Sequence, residues 1–506
     1  LHSFPTRRSS DLHIDYDLID YNNILSIAHV GSVVVTLGDT LKIKPVLKWE
    51  FSDRDTTAFD YEWRQVDSVV STSRDLAYTP NISGYFNIFL YITDRANGIV
   101  RRYSLQIQAI SAFKAGWLIL TDNGGGKTGL TFIRRDSKRD ANNQIYYEYK
   151  LYKDLYATMY PEDELGENPI RLQTKIWPDY TLDEVAIMQG NTSVYLNGDN
   201  LSKMLRLKSE FPNQSFPNNA TAVNYVDGSS ANFILTDDGK IYWKRNSVGM
   251  GGLHQGMFMD VPIYFQNGDA NISQIIDTDT DLAQFIYVYD NLNKRFIGLY
   301  TTNGSNDNLA GKLFLIDDSA PPAGFVDLND QTGYTLKYSS DYANAAYYMN
   351  IIKNDATGQY LYQTYRLTMN WSSIGVSEHQ QEVFAGNGIV TDNTVYYRIR
   401  NSSYLFFGEG SKMYFYDVNT KKVALYHDFG GGGRIVKFTS DANSGELGVA
   451  FDDGRFFICS LKNDVLGNTN PGSVGILYTA PNLGNIIDLN WKWGSYFEFV
   501  FKRYPG

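Results

Sequence analysis

Residues Gly410–Phe429 read GSKMYFYDVNTKKVALYHDF. Met413–Tyr416 are apolar and aromatic, as in a strand covered on both faces. Asp417, Asn419 and Thr420 follow, and such short polar side chains bond their own backbone and make turns. Val423, Leu425 and Tyr426 then resume a strand. The unit recurs as FIYVYDNLNKRFIGLY (Phe285–Tyr300), ANFILTDDGKIYWKR (Ala231–Arg245) and GVAFDDGRFFICSL (Gly448–Leu461). Each is a hairpin with an Asp/Asn/Gly turn followed by Lys or Arg. One hairpin cannot bury its own apolar face. Repeated hairpins at roughly 40 to 60 residue spacing therefore predict blades packed around an axis, a β-propeller.

About seven such units are expected, beginning near Gly116, Glu184, Ser229, Ile272, Tyr334, Asn393 and Arg434. The segments LYKDLYATMYPEDELGENP and DVPIYFQNGD read as loops between them. The chain closes on NIIDLNWKWGSYFEFVFKR, another apolar strand run. Left alone it would expose Ile487, Leu489, Trp491 and Trp493 on one face. Pairing with the strand at Gly116–Leu120 would close the ring and cover them. The fold class expected is all-β, with a propeller over residues 113–506 closed by the C-terminal strands.

Upstream, residues 24–112 carry short strands separated by polar turns: SVVVTLG, TLKIKPVLKWE, FDYEWRQV, YFNIFLYITD and VRRYSLQIQAI. That spacing predicts a β-sandwich of roughly 90 residues. Trp63 is placed between the sheets, and Tyr85 at a corner. Residues 13–23, HIDYDLIDYNN, have no period and read as a tether.

Composition narrows the function. Lys and Arg number 45 against 56 Asp and Glu, a net charge of −11, which argues against a nucleic-acid partner held through phosphates. Cys459 is the single cysteine, so neither an intrachain disulfide nor a cysteine zinc site can form. It lies in an apolar strand and reads as core. No apolar run reaches the ~18 residues of a membrane-spanning helix.

The motifs that imitate chemistry do not complete it. GGGKT (Gly124–Thr128) lacks the first glycine of a phosphate loop, where Thr121 stands, and is followed by a strand. Gly430–Gly433 has no Lys-Ser/Thr after it. Asp277, Asp279 and Asp281 alternate as in a calcium loop, but Leu282 and Val288 occupy the positions where an EF-hand needs Gly and Glu. They are the weak metal candidate; the reading is a solvated turn and no cofactor. The six histidines His2, His13, His29, His254, His379 and His427 are scattered. No acid is placed beside a base, so catalysis is not expected. Trp177, Trp243, Trp371, Trp491 and Trp493 are the candidates to stack on a sugar or grip a peptide. Trp49, Trp63 and Trp117 read as core.

The runs GDTLKIKP, YEWRQ and SGYFNIFLYITDRANG, followed by KAGWLILTDNGGGKTGLTFI (Lys114–Ile133) and EVAIMQGNTSVYLNGDNL, resemble the PKD-like lipoproteins of Gram-negative anaerobes. The WDFGDG signature of typical PKD repeats is absent, since Trp63 is followed by RQVD. The resemblance implies a lipid-anchored outer-membrane protein at the cell surface. Its role would be an accessory binding component of a nutrient-uptake system. Its partners would be a glycan or peptide ligand, a TonB-dependent transporter and that transporter's surface lipoprotein. The alternatives are a propeller glycosidase or lyase, or an adhesion scaffold. Residues 1–12, LHSFPTRRSSDL, resemble a translated sequencing adapter. On that reading the native N-terminus and its anchoring cysteine lie upstream of His13.

Overall fold

A computed structural model of the chain describes residues 22–28, 30–51, 58–80, 83–176, 183–227, 231–245, 254, 256–265, 269–276, 285–300, 311–318, 321–341, 347–369, 373–399, 402–441, 445–466 and 475–493. The chain divides into two compact units, Leu1–Ala112 and Phe113–Gly506.

The first unit contains β1 (Ile24–Ala28), β2 (Ser32–Thr36), β3 (Leu41–Ile43), β4 (Val46–Trp49), β5 (Phe59–Gln65), β6 (Ser68–Ser71), β7 (Leu76–Tyr78), β8 (Gly84–Asp94) and β9 (Val100–Ile110). A five-stranded sheet in the order β2-β9-β8-β5-β6 faces the pairs β1-β4 and β3-β7. Alternate residues of the long strands, such as Ile88, Leu90 and Ile92 on β8 and Leu105 and Ile107 on β9, meet Trp63 in the core. Trp63 is fully buried, and its indole N–H donates to the carbonyls of Ser73 (3.1 Å) and Arg74 (3.3 Å). The expected run TLKIKPVLKWE breaks at Pro45 into β3 and β4, because proline cannot donate to a ladder. Tyr85 does not brace a corner. It is 72% exposed, being on the solvent face of β8. Trp63→Ala removes the largest core side chain and two hydrogen bonds. It should cost the sandwich about 3 to 5 kcal/mol. Calorimetry should show the sandwich transition shifted and the propeller transition in place; an unshifted sandwich would contradict the assignment.

The second unit is a propeller built blade by blade. Its strands are β10 (Gly116–Asp122), β11 (Thr128–Arg139) and β12 (Ile145–Tyr152); then β13 (Pro169–Ile176), β14 (Asp183–Gln189), β15 (Val194–Asn197) and β16 (Lys203–Arg206). Next come β17 (Ala222–Asp227), β18 (Ala231–Thr236) and β19 (Ile241–Arg245), followed by β20 (Ile272–Ile276), β21 (Phe285–Asp290), β22 (Arg295–Tyr300) and β23 (Leu313–Asp317). The last three groups are β24 (Tyr334–Asp341), β25 (Tyr347–Asn354), β26 (Tyr360–Met369) and β27 (Ser373–Val383); β28 (Val395–Arg398), β29 (Tyr404–Glu409), β30 (Lys412–Asp417) and β31 (Lys422–Asp428); and β32 (Ile435–Ser440), β33 (Glu446–Phe451), β34 (Phe456–Ser460) and β35 (Ile476–Ala480). A final strand, β36 (Asn485–Lys492), joins the first group.

These seven groups are antiparallel meanders, as the recurring hairpins predict. The fourth and fifth share one eight-stranded sheet, because Leu315–Asp317 of β23 pairs in parallel with Ser373–Gly375 of β27. First strands of successive blades lie side by side: β13 beside β17, β28 beside β32, β32 beside β36, and β36 beside β13. Those strands define the axis. The second and third blades begin earlier than expected, at Pro169 and Ala222, since Glu184 and Ser229 mark their second strands. GGGKT forms the β10–β11 turn, where the Asp122 carboxylate accepts from the amides of Gly124 (2.9 Å) and Gly126 (3.1 Å).

Ring closure is the pairing of β36 with β10, with Trp117 opposite Trp491, Ile119 opposite Leu489 and Leu120 opposite Asp488. The two indoles meet edge to face at 5.0 Å. Ile486, Leu489, Trp491 and Trp493 are buried in one cluster with Trp117 and Phe456. Ile487 faces the other way, against the neighbouring blade's core, because a bulge opposite Leu120 and Thr121 shifts the register. The ring is also tied by charge. Asp488 accepts from the amide of Leu172 on β13 (2.9 Å) and pairs with Lys437 on β32 (2.8 Å). Arg135 reaches Asp441 (2.6 Å) and Glu446 (3.0 Å) on the last blade, and Tyr149 donates to Glu446 (2.7 Å). Burying four large side chains at about 1.5 to 3 kcal/mol each contributes roughly 6 to 12 kcal/mol before ordering costs, comparable to a domain's whole stability. Deleting residues 485–506 should therefore leave an insoluble or molten propeller, read by near-ultraviolet circular dichroism, beside a folded sandwich. A truncated propeller melting like the full chain would contradict ring closure.

Candidate functional site

The third blade carries two features on opposite faces of β19. On one face is an apolar groove. Beyond β19 the chain returns alongside it, with the amide of Met259 donating to the Trp243 carbonyl (2.9 Å) and that of Ile263 to the Ile241 carbonyl (2.8 Å). This return is a loop, as expected, and it lies along the edge of the three-stranded blade sheet. Across from it stands β23 of the next blade. Between them lies a groove of about 490 Å³, walled by Trp243, Met259, Val261, Tyr264, Leu313 and Leu315. Val261 is 65% exposed and Tyr264 75%. Gly311 sits against the indole with φ +79°, and a Cβ there would come within 2.9 Å of Trp243 Cε2. Glycine lets the backbone lie on the ring. A concave apolar surface of this size fits a small hydrophobic ligand or a few side chains.

On the other face is a buried polar nest shared by the second and third blades. Glu184 lies on β14, Tyr195 on β15, Glu210 at the end of the 3-10 turn Leu207–Glu210, and Lys244 on β19. His254 completes it. Its Nε2 is 2.7 Å from Glu184 and its Nδ1 is 2.8 Å from Glu210. Lys244 also pairs with Glu210, and Tyr195 donates to the second Glu210 oxygen at 2.9 Å. Burial pushes the Glu210 carboxyl up, but the hydrogen bond from His254 and the Lys244 charge outweigh it and hold it at about 2. Burial lowers His254, and its bonds to Glu184 and Glu210 more than reverse this, so the imidazole is raised above its ordinary value. The nest holds the His254 proton and keeps Glu210 ionised, and both carboxylates are bonded to His254.

Of the tryptophans singled out by sequence that lie among the described residues, Trp243 alone is at the groove. Trp491 and Trp493 are 3% and 7% exposed in the closing cluster, so their rings pack the ring seam and present no face to a ligand. Trp177, Trp371, Asp277, Asp279 and Asp281 lie outside the described residues. Trp63 and Trp117 are core, as read; Trp49 is half-buried against Phe59. Cys459 is buried, which pushes its thiol up and makes it inert. The nest was not found from sequence. Its one signal was charge at inward positions of apolar strands: Glu184 heads EVAIM, and Lys244 alternates with Trp243 in IYWKR.

The fold and site define a propeller-like β protein with an N-terminal sandwich. Comparison gives the sandwich a family: residues 14–168 match the PKD-like family model, a span that runs from residue 14 of the first unit through the β10–β12 meander. The N-terminal unit is a PKD-like domain. A search of curated proteins finds no match. Among solved structures, the chain is similar to a quinonprotein alcohol dehydrogenase-like protein from Bacteroides thetaiotaomicron, at 12% identity over 94% of this chain and 98% of that one, with a TM-score of 0.38. It is similar to the dihydro-heme d1 dehydrogenase NirN in complex with DHE, at 9% identity over 82% and 74%, TM-score 0.37. The C-terminal WD40 domain of Sif2 matches at 8% over 64% and 86%, TM-score 0.34. Likeness at this level transfers no chemistry to this chain.

The nest makes the third blade acid-sensitive. Glu210 has its folded pKa depressed from 4.5 to about 2, so its contribution is present above about pH 4.5 and is lost as pH falls towards 2. The loss should be on the order of 3 kcal/mol. Propeller melting temperature should be flat between about pH 5 and the ordinary histidine range and drop below about pH 5, and E210Q should flatten that acid limb. An acid limb unchanged in E210Q would contradict the assignment.

Proposed function

We propose that this protein is a non-catalytic binding component of the cell surface, and that the propeller takes an apolar peptide segment in the Trp243 groove. The observation that carries this is the groove itself: the half-buried Trp243 indole with exposed Met259, Val261, Tyr264 and Leu315 held open between two blades. Its walls offer apolar area and few groups to pair sugar hydroxyls, which favours a peptide over a glycan. The buried carboxylates support binding over catalysis. Glu184, Glu210, Asp441 and Glu446 are each bonded to a cation rather than turned to a substrate.

The residue resemblance to PKD-like lipoproteins supports the setting: a lipid-anchored outer-membrane protein working beside a TonB-dependent transporter and its surface lipoprotein. There the sandwich is the spacer and the propeller the platform. The test is a binding screen of the purified chain against arrayed peptides and glycans. Peptides with clustered apolar side chains should bind, and V261D or L315D should weaken them at least about tenfold, a loss of about 1.4 kcal/mol. Both positions are solvent-facing, so folding should survive. Glycan binding indifferent to both substitutions, or turnover of any ligand, would overturn the proposal.

A further inference from the structure

We propose that His254 is a proton-operated latch on the Trp243 groove: as a cation it pins the start of the groove wall to the second and third blades, and losing its proton frees that start. The inference rests on the reading of the groove as the binding face and adds its regulation.

The geometry requires the cation. Both ring nitrogens of His254 lie within hydrogen-bond distance of carboxylate oxygens, 2.7 Å to Glu184 and 2.8 Å to Glu210. Ionised carboxylates accept only, so between two of them both nitrogens donate, and a neutral imidazole has a single N–H. After deprotonation one nitrogen lone pair would face a buried carboxylate. The groups that face His254 are Glu184 from β14, Tyr195 from β15 with ring centroids 4.6 Å apart, and Glu210 from the 3-10 turn, with Lys244 of β19 behind Glu210. Removing the His254 proton takes a positive charge from between two buried carboxylates, which is costly.

The connection to the groove is direct. The wall begins just after His254, where the amide of Phe258 donates to the Glu210 carbonyl (2.8 Å) and that of Met259 to the Trp243 carbonyl (2.9 Å). Phe258 stacks on Phe211 at 5.0 Å. Further along, the Ile263 amide is held by Ile241 and Phe265 is buried in the blade core. Release at His254 therefore loosens residues 256–259 and leaves Ile263 in place. The sign follows from the raised imidazole: pinning is complete below the ordinary histidine value and is lost as pH rises through the raised one.

Hydrogen exchange on the full chain, corrected for the base-catalysed intrinsic rate, tests this at about pH 6 and about pH 9. The amides of Phe258 and Met259 should exchange at least about tenfold faster at the higher pH, with Ile263 unchanged. H254Q should exchange fast at both. E184Q should stay protected at both, because the side-chain amide it introduces can donate to the neutral ring nitrogen. Flat exchange in the wild-type chain, or E184Q loosening as the wild type does, would overturn the latch even if H254Q fails to fold. Binding of an apolar peptide found in the array is measured alongside. Exchange that follows the latch with affinity unmoved by pH would sink the groove's role and leave the latch standing.

Discussion

The propeller depends on one strand pairing, β36 with β10. Each blade alone exposes two faces and two edges, and successive blades cover each other's faces. Only closure covers the last face, and here it falls to a strand from the far end of the chain. Trp117 against Trp491, with Leu489 and Ile486 below, fills the seam. Gly448 on the neighbouring blade has no Cβ, which would meet Trp117 at 2.8 Å, so the indole can lie flat on β33. The bulge at Ile487 then turns one apolar residue towards each neighbouring core.

Polar ties fix how blades meet, and they differ from seam to seam. The closing seam uses Arg135 with Asp441 and Glu446, and Arg135 also lies over the Trp491 ring at 4.7 Å. The second seam uses the Glu184–His254–Glu210–Lys244 nest. The fifth and sixth blades use Arg398 with Asp341 at 3.0 Å, and the fourth and fifth share strand hydrogen bonds. Buried ion pairs add little net stability over apolar packing, but breaking one strands a charge. Their effect is to make one arrangement of otherwise similar apolar faces much better than its neighbours. The nest differs in being reachable, since His254 is 16% exposed, and in holding a histidine, raised above its ordinary value by its two carboxylate partners.

Much of this architecture was legible in the sequence. Hairpins with short polar turns announce themselves, because alternation and turn chemistry are local. Closure was legible because Leu489, Trp491 and Trp493 alternate along one apolar strand run that needs a partner. The strands β13 and β17 were not read, since PIRLQTKI and AVNYVD mix polar residues into strands that border the axis. The nest was illegible for another reason: Glu184 and His254 are 70 residues apart, and only blade packing brings them together. Tryptophan misled in the opposite direction. Its chemistry is the same in a binding site and in a core, so Trp243 and Trp491 look alike until the sheets are placed.

The account's central claim is that β36 belongs to the first blade and completes one cooperative ring. Native-state hydrogen exchange in low denaturant tests it most directly. Amides of residues 117–121 and 486–491 should exchange together, with a single opening free energy and denaturant dependence equal to those of global propeller unfolding. Rapid exchange of 486–491 while 117–121 and the remaining blades stay protected would contradict it.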